Sequence, residues 1–215
     1  MSAHHDHGHD AGHRHPHQPD LEDRPFEYYQ VMAEAVGELL IEKGVLSADE
    51  LRRAIEDLDA RSPALGAKVV ARAWVDPAFK ARLLEDANAA VAELGIDAGA
   101  IPIRALESTA KLHHVVCCTL CSCYPRLLLG VPPDWYKSRA YRSRVVREPR
   151  AVLAEFGTRI ADDVEVRVHD STADLRYLVL PVRPAGSEAL GEEELAALVT
   201  RDCMIGTAVP SLQPG

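Results

Sequence analysis

Four of the five cysteines of this 215-residue chain lie within seven consecutive positions, and sulfur at that density can support metal or redox chemistry. The stretch is VVCCTLCSCY, residues 115–124, and it contains Cys117, Cys118, Cys121 and Cys123. An odd number of cysteines, most of them crowded into one short loop, is not the pattern of a disulfide framework. A metal site or a thiol redox site is therefore the leading interpretation.

Three familiar kinds of site can use the spacing C-x-x-C-x-C. A structural zinc site needs four ligands, and the fourth would have to be His113 or Cys203. A thiol redox pair normally begins a helix in a thioredoxin-like βαβ unit, which the sequence pattern does not show. An iron–sulfur cluster normally takes four cysteines, and Cys117 is the local residue that could complete that set.

A fourth kind of site is a single metal ion held by Cys118, Cys121 and Cys123 together with the main-chain nitrogens of Ser122 and Cys123. The two amides lie between the flanking sulfurs of C-S-C, so chelate rings can form without residues from elsewhere in the chain. Thiolates and deprotonated amides give a strong ligand field, which favours a low-spin trivalent ion and leaves one position open for Lewis-acid catalysis. The residues alone leave all four kinds of site open.

Hydrophobic periodicity predicts which elements hold this loop. The first half of the chain shows three-to-four spacing and helix caps, which predict four helical segments at about 26–44, 47–61, 64–74 and 76–95. The second half shows β-rich runs at 103–106, 113–117, 164–169 and 175–181, with short helices between the second and third runs and a final helix at 191–200. The cysteine loop is thus expected to leave the end of the second strand.

These elements predict an α+β fold in which an N-terminal helical arm packs on a compact, mixed α/β metal-binding domain with a small β-sheet. We expect a disordered, His-rich tail over residues 1–25, a helical arm over 26–95 and a metal-binding catalytic domain over 96–215. The tail is either a solvated segment or a weak metal-collecting arm, because neutral imidazole binds late divalent metals. Its seven histidines are His4, His5, His7, His9, His13, His15 and His17.

Charge and hydropathy limit the partners of the chain. Its net charge is −9 and its basic residues form no long run, so we expect no nucleic-acid partner. The N-terminus has no apolar core typical of a secretory signal, and no window approaches the roughly 18 apolar residues of a membrane span. The sequence therefore predicts a cytoplasmic protein without a membrane segment.

Several longer passages carry a resemblance to a known family. CTLCSCYP and the following LGVPPDWYKSRAYRSRVVREPRAVLAEFG resemble the metal-binding region of the nitrile hydratase α subunit, cobalt type, and of the related thiocyanate hydrolase γ subunit. The upstream GAKVVARAWVDPAFKARLLEDA and the downstream DLRYLVLPVRPAG and LVTRDCMIG are similar to the same family. The resemblance covers most of the chain.

The resemblance implies a metal site and a reaction. Cys118, Cys121, Ser122 and Cys123 would bind Co(III) in preference to Fe(III), and Thr119 resembles the cobalt type. Cys121 would be oxidised to a sulfinate and Cys123 to a sulfenate, while Cys118 stays a thiolate. Cys121, Ser122 and Cys123 would be the catalytic residues, with the Cys123 sulfenate acting as base or nucleophile while a nitrile is hydrated to an amide.

The resemblance also implies partners and alternatives. The expected partners are a β-type subunit in a heterodimer or heterotetramer, an activator or metallochaperone, and a small nitrile substrate. Arg126 and His169 stand where the family commonly has tryptophan. An arginine at position 126 resembles the pattern of thiocyanate hydrolase, which converts thiocyanate to carbonyl sulfide and ammonia. A metal-delivery or zinc-binding module without chemistry of its own is the non-enzyme alternative.

Four residues near the loop have both a functional and a structural interpretation, and a fifth has a structural one only. Trp135 and Tyr136 would line a substrate channel or pack in the core. One of His113 and His114 would donate a hydrogen bond to a metal ligand, or both would be satisfied buried histidines. Cys117 is expected to be structural, because it lies one position too early for the metal site.

Overall fold

A computed structural model describes residues 28–212 of the chain. The predictions for the His-rich tail, residues 1–25, lie outside this range. Within it, the chain forms eleven helices and four strands. The helices are α1 Tyr28–Glu42, α2 Ala48–Asp59, α3 Pro63–Val75, α4 Pro77–Glu85, α5 Ala87–Glu93, α6 Arg126–Leu129, α7 Asp134–Lys137, α8 Arg139–Arg144, α9 Pro149–Glu155, α10 Glu192–Ala197 and α11 Arg201–Ile205. The strands are β1 Ile103–Glu107, β2 Leu112–Cys117, β3 Glu165–Asp170 and β4 Arg176–Leu180.

The chain divides into two compact units between Leu51 and Arg52. The first unit contains α1, which has no buried residue, and the beginning of α2. A capping box starts α2 as the sequence predicts, because Ser47 N–H donates to Glu50 Oε2 at 2.7 Å and Glu50 N–H donates to Ser47 Oγ at 3.2 Å.

The second unit holds the hydrophobic core, to which both helices and strands contribute. Buried residues of α3, α4 and α5 pack with buried residues of β1, β2 and β4. The half-buried Val166 and Val168 of β3 pack against this core. This compact unit extends upstream of residue 96, because the helices between Pro63 and Glu93 share its core. The division into tail, arm and metal-binding domain at residues 25 and 95 stays a proposal about function.

Two parallel strand pairs confirm the predicted α+β class. β1 pairs with β4 and β2 pairs with β3, so the described residues form two small sheets where the sequence predicts one. In the second pair Val116 lies beside His169 and Cys117 beside Asp170. Because the strands are parallel, the residues that follow Cys117 and Asp170 leave the sheet at the same end, where both strands finish.

Two predictions about helix ends are wrong. The sequence predicts one helix from residue 76 to 95, but Asp86 interrupts it and accepts a hydrogen bond from Ala89 N–H at 3.0 Å, which starts α5. The sequence also ends the last helix near Thr200, whereas Thr200 caps a further helix, α11, by accepting from Cys203 N–H at 3.3 Å. In both places a short polar side chain competes with the helix backbone and restarts it as a cap.

No helix in the described range is both long enough and apolar enough to span a bilayer.

Candidate metal centre

The cysteine loop leaves the buried end of β2, as the sequence predicts. Cys118 is 1% exposed, Cys121 is exposed and Cys123 is half-buried. Their sulfur atoms lie within 4.8 Å of one another, with 3.5 Å between Cys118 and Cys121 and 3.3 Å between Cys121 and Cys123. The structure therefore brings the three sequence-predicted cysteines into one cluster, which we call the sulfur cluster.

The remaining cysteines lie apart from the sulfur cluster. Cys117 is fully buried, and burial raises the pKa of its thiol to about 12. Cys203 is buried in α11, where its sulfur lies 3.2 Å from Thr200 Oγ1. Neither Cys203 nor His113 belongs to the group of ligand atoms within 4.8 Å, so the described residues supply no fourth side chain for tetrahedral zinc.

The thiols of the sulfur cluster differ in how readily they ionise. Hydrogen bonds from the thiols of Cys123 and Cys118 lower the pKa of Cys121, and the backbone amides of Ser122 and Cys123 lower it further. Burial raises the pKa of Cys123 to about 12. Cys121 is thus the first thiol of this pair to become a thiolate, the form that binds metals.

Side chains from later elements hold the backbone of the loop. The carboxylate of Asp170, at the end of β3, accepts hydrogen bonds from Thr119 N–H at 2.8 Å and from the Thr119 hydroxyl. Arg142 Nη1 donates to Thr119 O at 3.3 Å, and the Tyr136 hydroxyl donates to Cys123 O at 2.9 Å. These contacts support the loop at both ends of the sulfur cluster, which limits the conformations its cysteines can adopt.

Tyr136 and Trp135 are core residues. Tyr136 is fully buried, and Trp135 stacks edge-on against Tyr141, with ring centroids 4.9 Å apart. Neither lines the cavity beside the sulfur cluster, so the packing interpretation of these aromatic residues is confirmed. The contact of the Tyr136 hydroxyl with the cysteine loop has no signal in the local sequence, and the same holds for Asp170 and Arg142.

A cavity of about 380 Å³ opens beside Cys121, Ser122 and Cys123. Arg126 and Arg176 both line this cavity. The charge of Arg176 acts to lower the pKa of Cys123. Its atom Nη1 is buried without a hydrogen-bond partner in the structure. The remaining wall is mostly apolar and consists of residues 98–101, Ile103, Tyr124, Pro125 and Leu127.

The paired histidines of β2 are buried and satisfied. His113 Nε2 lies 2.7 Å from Gly206 O, and His114 Nδ1 lies 2.8 Å from His169 Nε2 on the neighbouring strand. Burial lowers the pKa of all three imidazoles, and for His114, where the charge of His169 adds to the effect, it falls to about 4. The interpretation as buried, satisfied histidines is confirmed.

We expect the free energy of unfolding to fall as the pH drops from about 6.5 to about 4. Between these pH values the His114 imidazole of the unfolded chain binds a proton, whereas the buried imidazole of the folded chain stays neutral until about pH 4. Acid therefore favours unfolding. Urea unfolding at about pH 7 and about pH 5 measures the slope. His114→Gln, which cannot titrate, is expected to show a shallower slope, and an unchanged slope would contradict this assignment.

Fold and sulfur cluster together define a mixed α+β protein with a candidate thiolate metal centre at the end of a strand. A comparison with protein families matches residues 27–208 to the family described as "Nitrile hydratase, alpha chain". The chain belongs to this nitrile hydratase α chain family, as the resemblance predicts.

Individual relatives agree with that membership. The chain is 52% identical over 179 residues to the low-molecular weight cobalt-containing nitrile hydratase subunit alpha of Rhodococcus rhodochrous, covering 82% of this chain and 86% of the relative. It is 44% identical over 199 residues to the thiocyanate hydrolase subunit gamma of Thiobacillus thioparus, covering 87% and 81%. A solved structure of recombinant thiocyanate hydrolase with partially modified cobalt centres superposes with a TM-score of 0.81 at 43% identity, covering 87% of this chain and 92% of that one.

Proposed function

We propose that this chain is the metal-bearing α subunit of a nitrile hydratase, which hydrates nitriles to amides at a low-spin Co(III) centre. Cys118, Cys121 and Cys123 would supply sulfur, and Ser122 and Cys123 would supply main-chain nitrogen. The observation that carries the proposal is the convergence of three sulfurs beside a mostly apolar cavity in a member of this family. Cobalt is favoured over iron because the Rhodococcus rhodochrous relative is named as cobalt-containing.

Sulfur spacing supports one ion with more than four ligands. At the metal–sulfur distance of roughly 2.3 Å known for zinc, two sulfurs at a tetrahedral angle lie about 3.8 Å apart and two at a right angle about 3.3 Å apart. The 3.3 Å between the sulfurs of Cys121 and Cys123 matches the right-angle value, and the 3.5 Å between those of Cys118 and Cys121 lies between the two values. The amides of Ser122 and Cys123, which act on the Cys121 sulfur, would complete the donor set.

Exposure supports the proposed pattern of cysteine oxidation. Sulfur is oxidised most readily where it ionises easily and is accessible. Cys121 is exposed and its pKa is lowered by the neighbouring thiols and amides, and Cys123 borders the same cavity. We infer that dioxygen oxidises Cys121 to a sulfinate and Cys123 to a sulfenate and supplies the added oxygen atoms, whereas Cys118, at 1% exposure, stays a thiolate. Anionic sulfur oxygens at the cavity would be stabilised by the guanidinium groups of Arg126 and Arg176.

Nitrile hydration adds one water across the carbon–nitrogen triple bond and breaks no bond to carbon other than π bonds. A bound trivalent cobalt ion supplies Lewis acidity for this addition. Cys123 lines the cavity, where its sulfenate form would take a proton from water or attack the nitrile carbon itself. The apolar residues that line the cavity would bind the side chain of the nitrile and exclude other water.

The exposed side of the sulfur cluster fits a subunit interface. Leu120, between the cysteines, is 86% exposed and lines a surface depression together with the exposed Val146, and apolar area gathered in this way is typical of an interaction surface. We infer a β-type subunit as partner in a heterodimer or heterotetramer, an activator or metallochaperone that loads the metal, and a cytoplasmic location.

Metal analysis and intact mass test the proposal on the chain purified with its β-type partner. We expect one cobalt per chain, three added oxygen atoms on the cysteine loop and conversion of nitriles to amides. Two of the oxygens would be on Cys121 and one on Cys123. Zinc bound to unmodified thiols would contradict the enzyme assignment and support the metal-delivery or zinc-binding alternative.

A thiocyanate hydrolase γ-type subunit is the second candidate, because two arginines line the cavity. Arg126 and Arg176 favour an anionic substrate over a neutral nitrile. Assays of acetonitrile, benzonitrile and thiocyanate with the same cobalt-loaded complex separate the two candidates. Turnover of thiocyanate alone would overturn the nitrile assignment.

A further inference from the structure

One wall of the cavity is a stretch of backbone without regular secondary structure. Residues 98–103 lie between α5, which ends at Glu93, and β1, whose first residue is Ile103, and all of them except Pro102 line the cavity beside the sulfur cluster. We call this stretch the cavity wall. Since most of it lies outside the β1–β4 ladder, other groups must hold its backbone in place.

A single side chain bonds to the cavity wall at three places. Asn88 Nδ2 donates to Gly99 O at 2.9 Å and to Ile101 O at 3.2 Å, and Asn88 Oδ1 accepts from Ile103 N–H at 2.7 Å. Asn88 is the only asparagine of the chain. It lies on α5, behind the wall, and does not line the cavity that holds the sulfur cluster.

The chemistry of these three bonds selects asparagine. Two carbonyls need donors and one amide needs an acceptor, and a carboxamide carries both. Aspartate would keep the acceptor for Ile103 N–H but place a negative oxygen against the carbonyls of Gly99 and Ile101. Alanine would remove all three bonds without changing the helix that carries it.

The position of the cavity wall sets the width of the cavity. Gly99 faces the opposite side so closely that a Cβ atom there would lie 2.7 Å from Leu127 Cδ1. Arg61 Nη1 bridges the two sides, because it donates hydrogen bonds to Asp97 O at 3.2 Å and to Leu127 O at 3.4 Å. A displaced wall would therefore open a gap between Gly99 and Leu127.

We propose that Asn88 is a positioning residue that determines which nitriles the cavity accepts, by holding the cavity wall against Leu127. The inference rests on the proposed nitrile hydratase function for its substrate and on the hydrogen bonds of Asn88 for its mechanism. Asn88 itself touches neither the substrate nor the sulfur cluster. Its effect reaches the substrate through the backbone of residues 98–103.

Kinetics with a small and a bulky substrate test the proposal on the cobalt-loaded complex. For Asn88→Ala we expect the ratio of kcat/KM for benzonitrile to that for acetonitrile to rise about tenfold, the size of effect that a methylene-scale change in a pocket produces. The change should appear in KM, with cobalt content unchanged. Ala89→Ser, an exposed neighbour on α5, is the control and should leave the ratio unchanged.

Hydrogen exchange gives a second readout that does not depend on turnover. The amide of Ile103 should exchange faster in Asn88→Ala and keep its protection in Asn88→Asp, which retains the acceptor. If the parent complex hydrates nitriles and the ratio stays within twofold in Asn88→Ala, the inference is overturned and the proposed function stands. If the parent hydrates no nitrile, the proposed function fails, whereas faster exchange at Ile103 would still support the role of Asn88 in holding the wall.

Discussion

Cys118→Ala is expected to leave the chain without cobalt and without measurable nitrile hydration. Cys118 is the buried member of the sulfur cluster, 1% exposed, and its sulfur also accepts a hydrogen bond from Cys121 N–H at 3.3 Å. Its loss removes a proposed ligand and frees the first turn of the loop. The effect should exceed the roughly 10–100-fold that losing an outer partner of a metal ligand costs. Cobalt per chain and the rate of amide formation measure it.

Cys117→Ala is the matched control for this prediction. Cys117 is adjacent in sequence and equally buried, but its side chain lies outside the sulfur cluster. This variant should bind one cobalt per chain, with a loss of stability of about 1 kcal/mol from the small cavity it leaves. Cobalt retained by Cys118→Ala, or lost from a folded Cys117→Ala, would show that the ligand assignment is wrong.

Gly206→Ala is expected to lower the free energy of unfolding by about 3 kcal/mol or more, because two unfavourable terms add. The glycine has φ of +89°, a left-handed conformation that L residues avoid. A Cβ atom there would lie 2.0 Å from the carbonyl oxygen of His114 in β2, which is backbone and has no rotamer by which to move away. Urea unfolding of the purified complex and of the separate chain measures the loss.

Gly157→Ala separates the two terms. Gly157 has φ of +80°, but a Cβ atom there meets nothing within 4 Å. It should therefore show the conformational term alone, about 1 kcal/mol. Equal losses for the two variants would contradict the close approach of Gly206 to β2. Because β2 ends where the cysteine loop begins, Gly206→Ala should also lower cobalt content, whereas Gly157→Ala should not.

Local sequence was sufficient for features that depend on neighbouring residues. The strands at 103–107 and 112–117, the capping box at Ser47 and the loop position of the cysteines follow from periodicity and short-range hydrogen bonding. The break at Asp86 was missed because an aspartate inside a helical pattern has two interpretations. It is either a solvated helix residue or the cap of a new helix, and the surrounding packing decides between them.

The contacts around the sulfur cluster could not be predicted in the same way. Asp170 reaches Thr119 because β3 lies parallel to β2 with Cys117 opposite Asp170. Tyr136 reaches Cys123 O only after α7 has packed into the core. These pairs are separated by 51 and 13 residues, and no local pattern encodes strand register or the approach of a helix.

The sequence by itself supplied the candidate donor atoms of the proposed metal centre, because Cys118, Cys121, Ser122 and Cys123 are close enough along the chain to surround one ion, and the resemblance to the family selected this kind of site among the four. The sequence also showed the resemblance to the family, in passages spread over most of the chain. The tertiary structure decided which cysteines stay outside the cluster, which side chains hold the loop and how wide the cavity is. The stretch after α5 has no regular secondary structure, yet its hydrogen bonds to Asn88 make it one wall of the cavity, since only packing brings Gly99 against Leu127.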